Sequence, residues 1–201
     1  MKRLVTVAWI VVAVAGLSGT ALADSIKGKL GVTGRLGVYL PAESDFDDRK
    51  LETDVGFIGG GGVIYGITDN IAAEIDVTHT EFGSNRVSGL DEGDFEVVNV
   101  SLGGQYRFLL PQSKFVPYAG GGLDILLIDY TRPSGTKAHV DTGVGVHVNG
   151  GVDYFVTRQL VLNAEVKGVI APEVDMTAEG RPGNFDPSGV AGTVGVRFFF
   201  N

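Results

Sequence analysis

Cysteine is absent from the 201 residues, so a disulfide scaffold and any thiolate metal site are excluded. Proline is scarce at seven, and tryptophan occurs once, as Trp9. Basic residues are outnumbered, 16 Lys and Arg against 24 Asp and Glu, for a formal charge of −8. That balance gives no electrostatic footprint for nucleic acid, which proteins hold mainly by neutralising phosphates. No apolar run approaches the ~20 residues of a membrane-spanning helix once the first two dozen residues are passed. What is abundant is glycine, 31 residues, without the every-third-residue period of collagen.

Residues 1–23 read as a secretory signal peptide. Lys2 and Arg3 precede the apolar run Leu4 to Leu17, and Ala21-Leu22-Ala23 supplies a small-residue cleavage site. Residues 24–201 then form one exported domain, more acidic still, whose only route across a membrane is by strands.

Eight segments alternate with a period of two: 29–40, 55–67, 71–78, 98–108, 115–130, 143–156, 160–170 and 190–200. One parity carries Val, Leu, Ile and aromatics. The other carries glycine together with Arg35, Asp54, Glu74, Asp76, Arg107, Asp153, Glu165, Lys167 and Arg197. Segment 115–130 is ambiguous, because placing Val116 and Tyr118 on the apolar face puts Asp124 there too; a bulge near Gly120 to Gly122 would restore the register. Connections at Thr68–Asn70, Leu110–Lys114 and Thr157–Gln159 are short. Those at Pro41–Lys50, Glu81–Asp94, Thr131–Val140 and Pro172–Ser188 are long and polar. The alternation predicts an all-β fold, an eight-stranded antiparallel up-and-down barrel.

The composition of the faces orients it. Glycine and charge cannot cover a large exterior, yet they fit a cramped polar interior in which long side chains lie beside residues with none. The barrel is therefore predicted to be a transmembrane one, with its apolar face on lipid and the nine charged residues paired across the lumen, since an unpaired charge in a closed bore is costly. Tyr65, Tyr106, Phe108, Tyr118, Tyr154, Phe198 and Phe200 are expected to form an aromatic girdle at the short-turn end.

Chemical motifs are sparse. The histidines stand in His79-Thr80-Glu81, His139-Val140-Asp141 and His147-Val148-Asn149, none a His-x-Ser pair. His147 and Asp153 share a face, but six residues of strand is about 20 Å. Glu74 and Asp76 read as partners for interior cations rather than an acid–base pair. The acidic run Glu43 to Asp48 lacks the spacing of an EF-hand loop. Gly59 to Gly62 has no following Lys-Ser/Thr to make a phosphate loop. No catalytic residue, metal site or cofactor is called for.

Thr193-Val194-Gly195-Val196-Arg197-Phe198-Phe199-Phe200 resembles the C-terminal assembly signal of bacterial outer-membrane proteins, with Gly195, Val196, Phe198 and Phe200 at its characteristic positions and Asn201 departing from it by following the last aromatic. With Val116-Pro117-Tyr118-Ala119-Gly120-Gly121-Gly122-Leu123, the chain resembles the small eight-stranded outer-membrane barrels of the OmpW, OmpX and OmpA-barrel families. The resemblance implies insertion by the β-barrel assembly machinery, contact with outer-membrane lipid and lipopolysaccharide, a periplasmic short-turn end and four extracellular loops. It implies a non-enzymatic structural or surface-interaction role, or a narrow channel for small solutes of the OmpW kind.

Overall fold

The structure, a computed structural model, describes residues 25–42, 44–46, 49–53, 55–86, 91–131, 137–140, 142–178 and 181–200. Residues 1–23, Asp54 and Asn201 lie outside the described residues, as do Glu43, Asp47 and Asp48 of the acidic run and the side chains of the other residues of 43–54 and of His139. Eight long strands make the barrel: β1 (Leu30–Pro41), β4 (Gly56–Gly66), β5 (Ile71–Arg86), β6 (Asp91–Arg107), β7 (Phe115–Thr131), β9 (Gly143–Phe155), β10 (Leu160–Ile170) and β13 (Gly189–Phe199). Five short ones, β2 (Ser44–Phe46), β3 (Arg49–Thr53), β8 (Lys137–Val140), β11 (Val174–Ala178) and β12 (Arg181–Phe185), belong to the long connections.

Each long strand pairs antiparallel with its neighbour in sequence, and β13 returns to pair with β1 from Gly31↔Phe199 to Pro41↔Gly189. The sheet has no open edge, which is what a strand-built protein needs in hydrocarbon, where no water can satisfy a free N–H or C=O. Two of the three short turns share a device. Thr68 Oγ1 accepts from Ile71 N at 2.9 Å, and Thr157 Oγ1 accepts from Leu160 N at 2.9 Å, so each threonine hydroxyl closes its own turn.

The apolar parity faces outward. Leu36, Ile75, Leu102, Leu123, Val148 and Val194 stand between 54% and 68% of full exposure, part of an apolar surface far beyond what a soluble monomer carries. On β6 the outward band runs from Tyr106 up to Glu96, and Glu96 lies in one cross-strand row with Glu81 and Asp129. Roughly ten residues at ~3.3 Å, tilted by ~40°, give a band about 25 Å tall, the hydrocarbon span of an outer-membrane barrel.

Two expectations fail on β7, and one on β5 and β6. Register with β6 and β9 is continuous from Tyr118 to Leu126, so no bulge interrupts Gly120 to Gly122. Val116 and Tyr118 point inward with Gly120, Gly122 and Asp124, while Phe115, Leu123 and Ile125 point out. Glu81–Asp94, expected as loop, is mostly strand: β5 continues to Arg86 and β6 begins at Asp91. Outside the membrane a ladder keeps its backbone hydrogen bonds without needing an apolar face, so the pattern lapses before the strand does.

Candidate functional site

The lumen is built in three levels. At the short-turn end the inward side chains are apolar: Ile64, Ala72, Val116, Phe155, Val161 and Phe199 form one buried cluster, with Phe155 and Phe199 stacked at 6.4 Å between ring centroids. The chain ahead of β1 completes it. Gly28, at φ 73°, turns the backbone under the barrel, its N–H donating to Gly66 O at 2.7 Å, and this seats Ile26 in the cluster. The turn needs a residue free to adopt positive φ.

Above this base lies a network of buried charges. Arg197 and Arg107 are 0% and 1% exposed, so neither guanidinium reaches open water. Both meet Asp153, from Arg107 Nη1 at 2.7 Å and Arg197 Nη1 at 3.1 Å. Arg197 Nη2 donates to Glu74 at 2.9 and 3.0 Å. Arg35 spans three acids: Glu74 at 2.6 Å, Asp76 at 2.9 Å and Glu165 at 2.8 Å. Lys167 reaches Asp124 at 2.8 Å. Strand parity delivers these groups to one level, since β1, β5, β6, β9, β10 and β13 each send a charged residue inward there.

Eight of the nine charged residues expected in the lumen are thus brought together, and the ninth, Asp54, lies outside the described residues. Asp124 was missed. It is fully buried, accepts from Asn99 Nδ2 at 2.9 Å as well as from Lys167, and has His147 Nδ1 2.6 Å from its Oδ2. His147 is therefore held by Asp124 rather than Asp153. Its imidazole lies against Gly103 and Gly122, where a Cβ would sit 3.0 Å from Nε2 and 2.8 Å from Cε1.

Tyr118 corrects the girdle. Only 3% exposed, it lies inside the barrel, donating to Glu165 Oε2 at 2.8 Å and accepting from Asn163 Nδ2 at 2.9 Å, with Arg197 Cζ 5.3 Å from its ring centroid. The glycine opposite makes room, for a Cβ on Gly151 would meet the phenol at 2.5–2.6 Å. A tyrosine that fulfils its hydroxyl with a carboxylate and an amide, and its ring with a guanidinium, belongs in a polar lumen. Its parity mate Asp124 was the available signal. The other six aromatics lie outward at the short-turn end: Tyr106 and Phe108 meet edge-on at 5.1 Å, Phe198 and Phe200 at 5.4 Å, Tyr154 packs on the exposed Phe115 at 4.8 Å, and Tyr65 stands beside the first turn. Gly195 and Val196 of the C-terminal motif sit mid-strand on β13, opposite Arg35 and Gly34.

Towards the long-loop end the lumen turns apolar again, walled by Ile58, Val97, Leu126, Val169 and Ala191 with the Tyr39 hydroxyl donating to Pro187 O at 3.1 Å. The spaces inside are small. Among the described residues, one space under this mouth holds about 30 Å³ and another, beside the network, about 20 Å³, each the room of one or two waters. Ser101 and His147 line the smaller space, and Asp124 pairs across the ladder with Ser101 and contacts His147, but no hydrogen bond joins Ser101 to His147 among the described residues.

A closed eight-stranded barrel with a lipid-facing apolar band and a salt-bridged core now stands beside the known proteins. The profile described as "Outer membrane protein beta-barrel domain" matches residues 9–198. The chain belongs to this outer-membrane β-barrel family. Among solved structures of such barrels it is similar to OprG of Pseudomonas aeruginosa, at 16% identity and TM-score 0.73, over 90% of this chain and 99% of that one. It is also similar to Neisserial surface protein A, at 20% identity and TM-score 0.61, over 85% and 97%. A third likeness is to Ail, the attachment invasion locus protein of Yersinia pestis, solved with the heparin analogue sucrose octasulfate, at 14% identity and TM-score 0.53, over 87% and 99%. No curated protein matches the chain. As a member of the family, the barrel resides in the bacterial outer membrane.

Proposed function

We propose that this outer-membrane barrel is non-enzymatic, that its lumen is closed to solutes, and that its role is structural and exercised through its four extracellular loops. The carrying observation is the blocked bore: a base of packed apolar side chains beneath a level of paired charges, with spaces of about 30 and 20 Å³ among the described residues. A sugar or amino acid would have to break several buried ion pairs to pass. The long-loop end agrees with a surface role, because β5, β6 and β7 extend past the apolar band, β2–β3 form a hairpin and β11–β12 another, and β11 pairs with β8 of the preceding loop. Ail, a similar barrel, was solved in complex with the heparin analogue sucrose octasulfate, which supports a surface-interaction role for a barrel of this kind. In this reading residues 1–23 are removed on export, the outward aromatics mark the periplasmic interface, and the C-terminal strand is what the assembly machinery recognises.

The alternative, a narrow OmpW-like channel, draws on the apolar mouth walled by Ile58, Val97, Leu126 and Val169. That mouth ends on Arg35, Asp76 and Glu165. Liposome swelling distinguishes the two: vesicles carrying the inserted protein should swell in small sugars and amino acids no faster than empty ones. Swelling graded by solute size would establish the channel.

A further inference from the structure

Charge is segregated along the barrel axis. Segments 41–56, 79–96, 129–142 and 171–188, which make the long-loop end, hold seventeen Asp and Glu against six Lys and Arg. The short-turn end reverses the balance. Lys27 and Lys29 lie ahead of β1, Lys114 closes the turn before β7 and Arg158 stands in the turn before β10, while the one acid among the described residues of this end outside the lumen is Asp69. Asp69 accepts the Ser25 hydroxyl. The charged groups of Lys27, Lys114 and Arg158 meet no carboxylate among the described residues. The polarity of the molecule therefore favours an anion at the short-turn end.

Each of the four cations borders the aromatic girdle. Lys114 precedes Phe115, which packs on Tyr154 at 4.8 Å, and Arg158 stands two residues before Leu160, the cross-strand partner of Phe198. Lys29 precedes Leu30, which lies opposite Tyr65, and Lys27 bridges to Gly66, the residue after Tyr65. Such aromatic belts mark the headgroup level, so these cations stand at the depth of lipid phosphates. Lys27 and Arg158 are exposed and Lys114 is half-buried, an arrangement in which the methylene stem lies on apolar surface and the charge reaches outward. Around the barrel the pair Lys27 and Lys29 belongs to β1, Lys114 to β7 and Arg158 to β10, so the cations make a rim rather than one pocket.

We propose that this short-turn rim binds the phosphates of anionic glycerophospholipids. A zwitterionic headgroup carries its own ammonium beside the phosphate and gains less from the rim. Peptidoglycan is also anionic, but it would be met beyond the bilayer surface, whereas these side chains lie level with the girdle. That the lipids are those of the inner leaflet rests on the reading of the short turns as periplasmic. The headgroup preference itself does not, and vesicles with the same lipids in both leaflets measure it apart from that reading.

Tryptophan fluorescence gives the test, because Trp9 is the only tryptophan and lies ahead of the exported residues 24–201. Phe115→Trp places a reporter on β7 beside Lys114, and Leu127→Trp places one on the same strand and face at the long-loop end. Each is inserted in equimolar phosphatidylglycerol and phosphatidylcholine vesicles in which one lipid or the other is brominated near its headgroup. At low salt, quenching at Phe115→Trp should report phosphatidylglycerol enriched about 2–5-fold over phosphatidylcholine, and the enrichment should vanish in about 0.5 M salt. Adding Lys114→Gln and Arg158→Gln, both at turns outside the folded core, should bring it to unity, and Leu127→Trp should show none. Equal quenching by the two lipids at Phe115→Trp decides against the proposal without any turn variant. An enrichment that survives salt or the paired substitutions, one equally large at Leu127→Trp, or retention of the barrel on isolated peptidoglycan in place of a lipid preference would also overturn it.

Discussion

Asp153 sits between two guanidiniums and is the one carboxylate paired with Arg107 among the described residues, which makes it the residue on which the base of the network depends. Asp153→Ala should cost about 3–5 kcal/mol, because it leaves Arg107 and half of Arg197 buried without a partner. Urea unfolding in lipid vesicles measures this, and a loss below about 1 kcal/mol would mean that water reaches these arginines freely. Tyr118→Phe removes one donated and one accepted hydrogen bond and should cost about 1–3 kcal/mol in the same assay. The two residues differ in how well the sequence disclosed them. Asp153 alternates with Val152 and Tyr154, so its inward direction could be read from parity alone. Tyr118 could not, since an aromatic near a short turn fits the girdle as readily as the lumen; only Asp124, six residues on with the same parity, argued for the interior.

At the scale of the strand, glycine divides by direction. Gly122 of β7 points inward, where a Cβ would come within 2.5 Å of Gly103 Cα and 2.8 Å of His147 Cε1, whereas Gly34 of β1 points to lipid with nothing within 4 Å. Gly122→Ala should therefore destabilise by about 1–3 kcal/mol through overpacking against backbone. Gly34→Ala should stabilise by about 0.5–1 kcal/mol, as a strand glycine is replaced where space is open. Equal effects of the two in parallel unfolding curves would contradict the assigned faces. The lipid face carries a sharper test at Leu102, 56% exposed and near the middle of the band on β6. Leu102→Arg should lose about 2–4 kcal/mol and lower the yield of heat-modifiable, folded barrel on gels. Alternation made all eight strands visible in the sequence over their membrane-crossing parts. Their extensions, such as β5 beyond Glu81, were not visible, because water on both faces removes the apolar period while leaving the backbone ladder intact.

For the molecule as a whole, closure of β13 on β1 and the separation of an apolar exterior from a charged interior follow from one cause, a solvent that cannot hydrogen-bond. Pairing of strands in chain order follows from the short turns. Lumen occupancy is a different matter. Counting charges by parity showed that the interior must be nearly neutral, but which acid meets which base depends on the stagger of strands around the barrel, and that stagger is not written in any local pattern. The apolar base was equally hidden, since Ile64, Val116, Phe155, Val161 and Phe199 lie on the polar parity and Ile26 precedes the first strand. The claim that these two levels close the bore is tested most directly by single-channel recording. Inserted in a planar bilayer and confirmed there by protease protection, the barrel should stay electrically silent, while the combined Arg107→Ala and Asp153→Ala protein, if it inserts, should open intermittently. Steady discrete openings from the unaltered protein would contradict the closed lumen and make the interior charges determinants of ion selectivity.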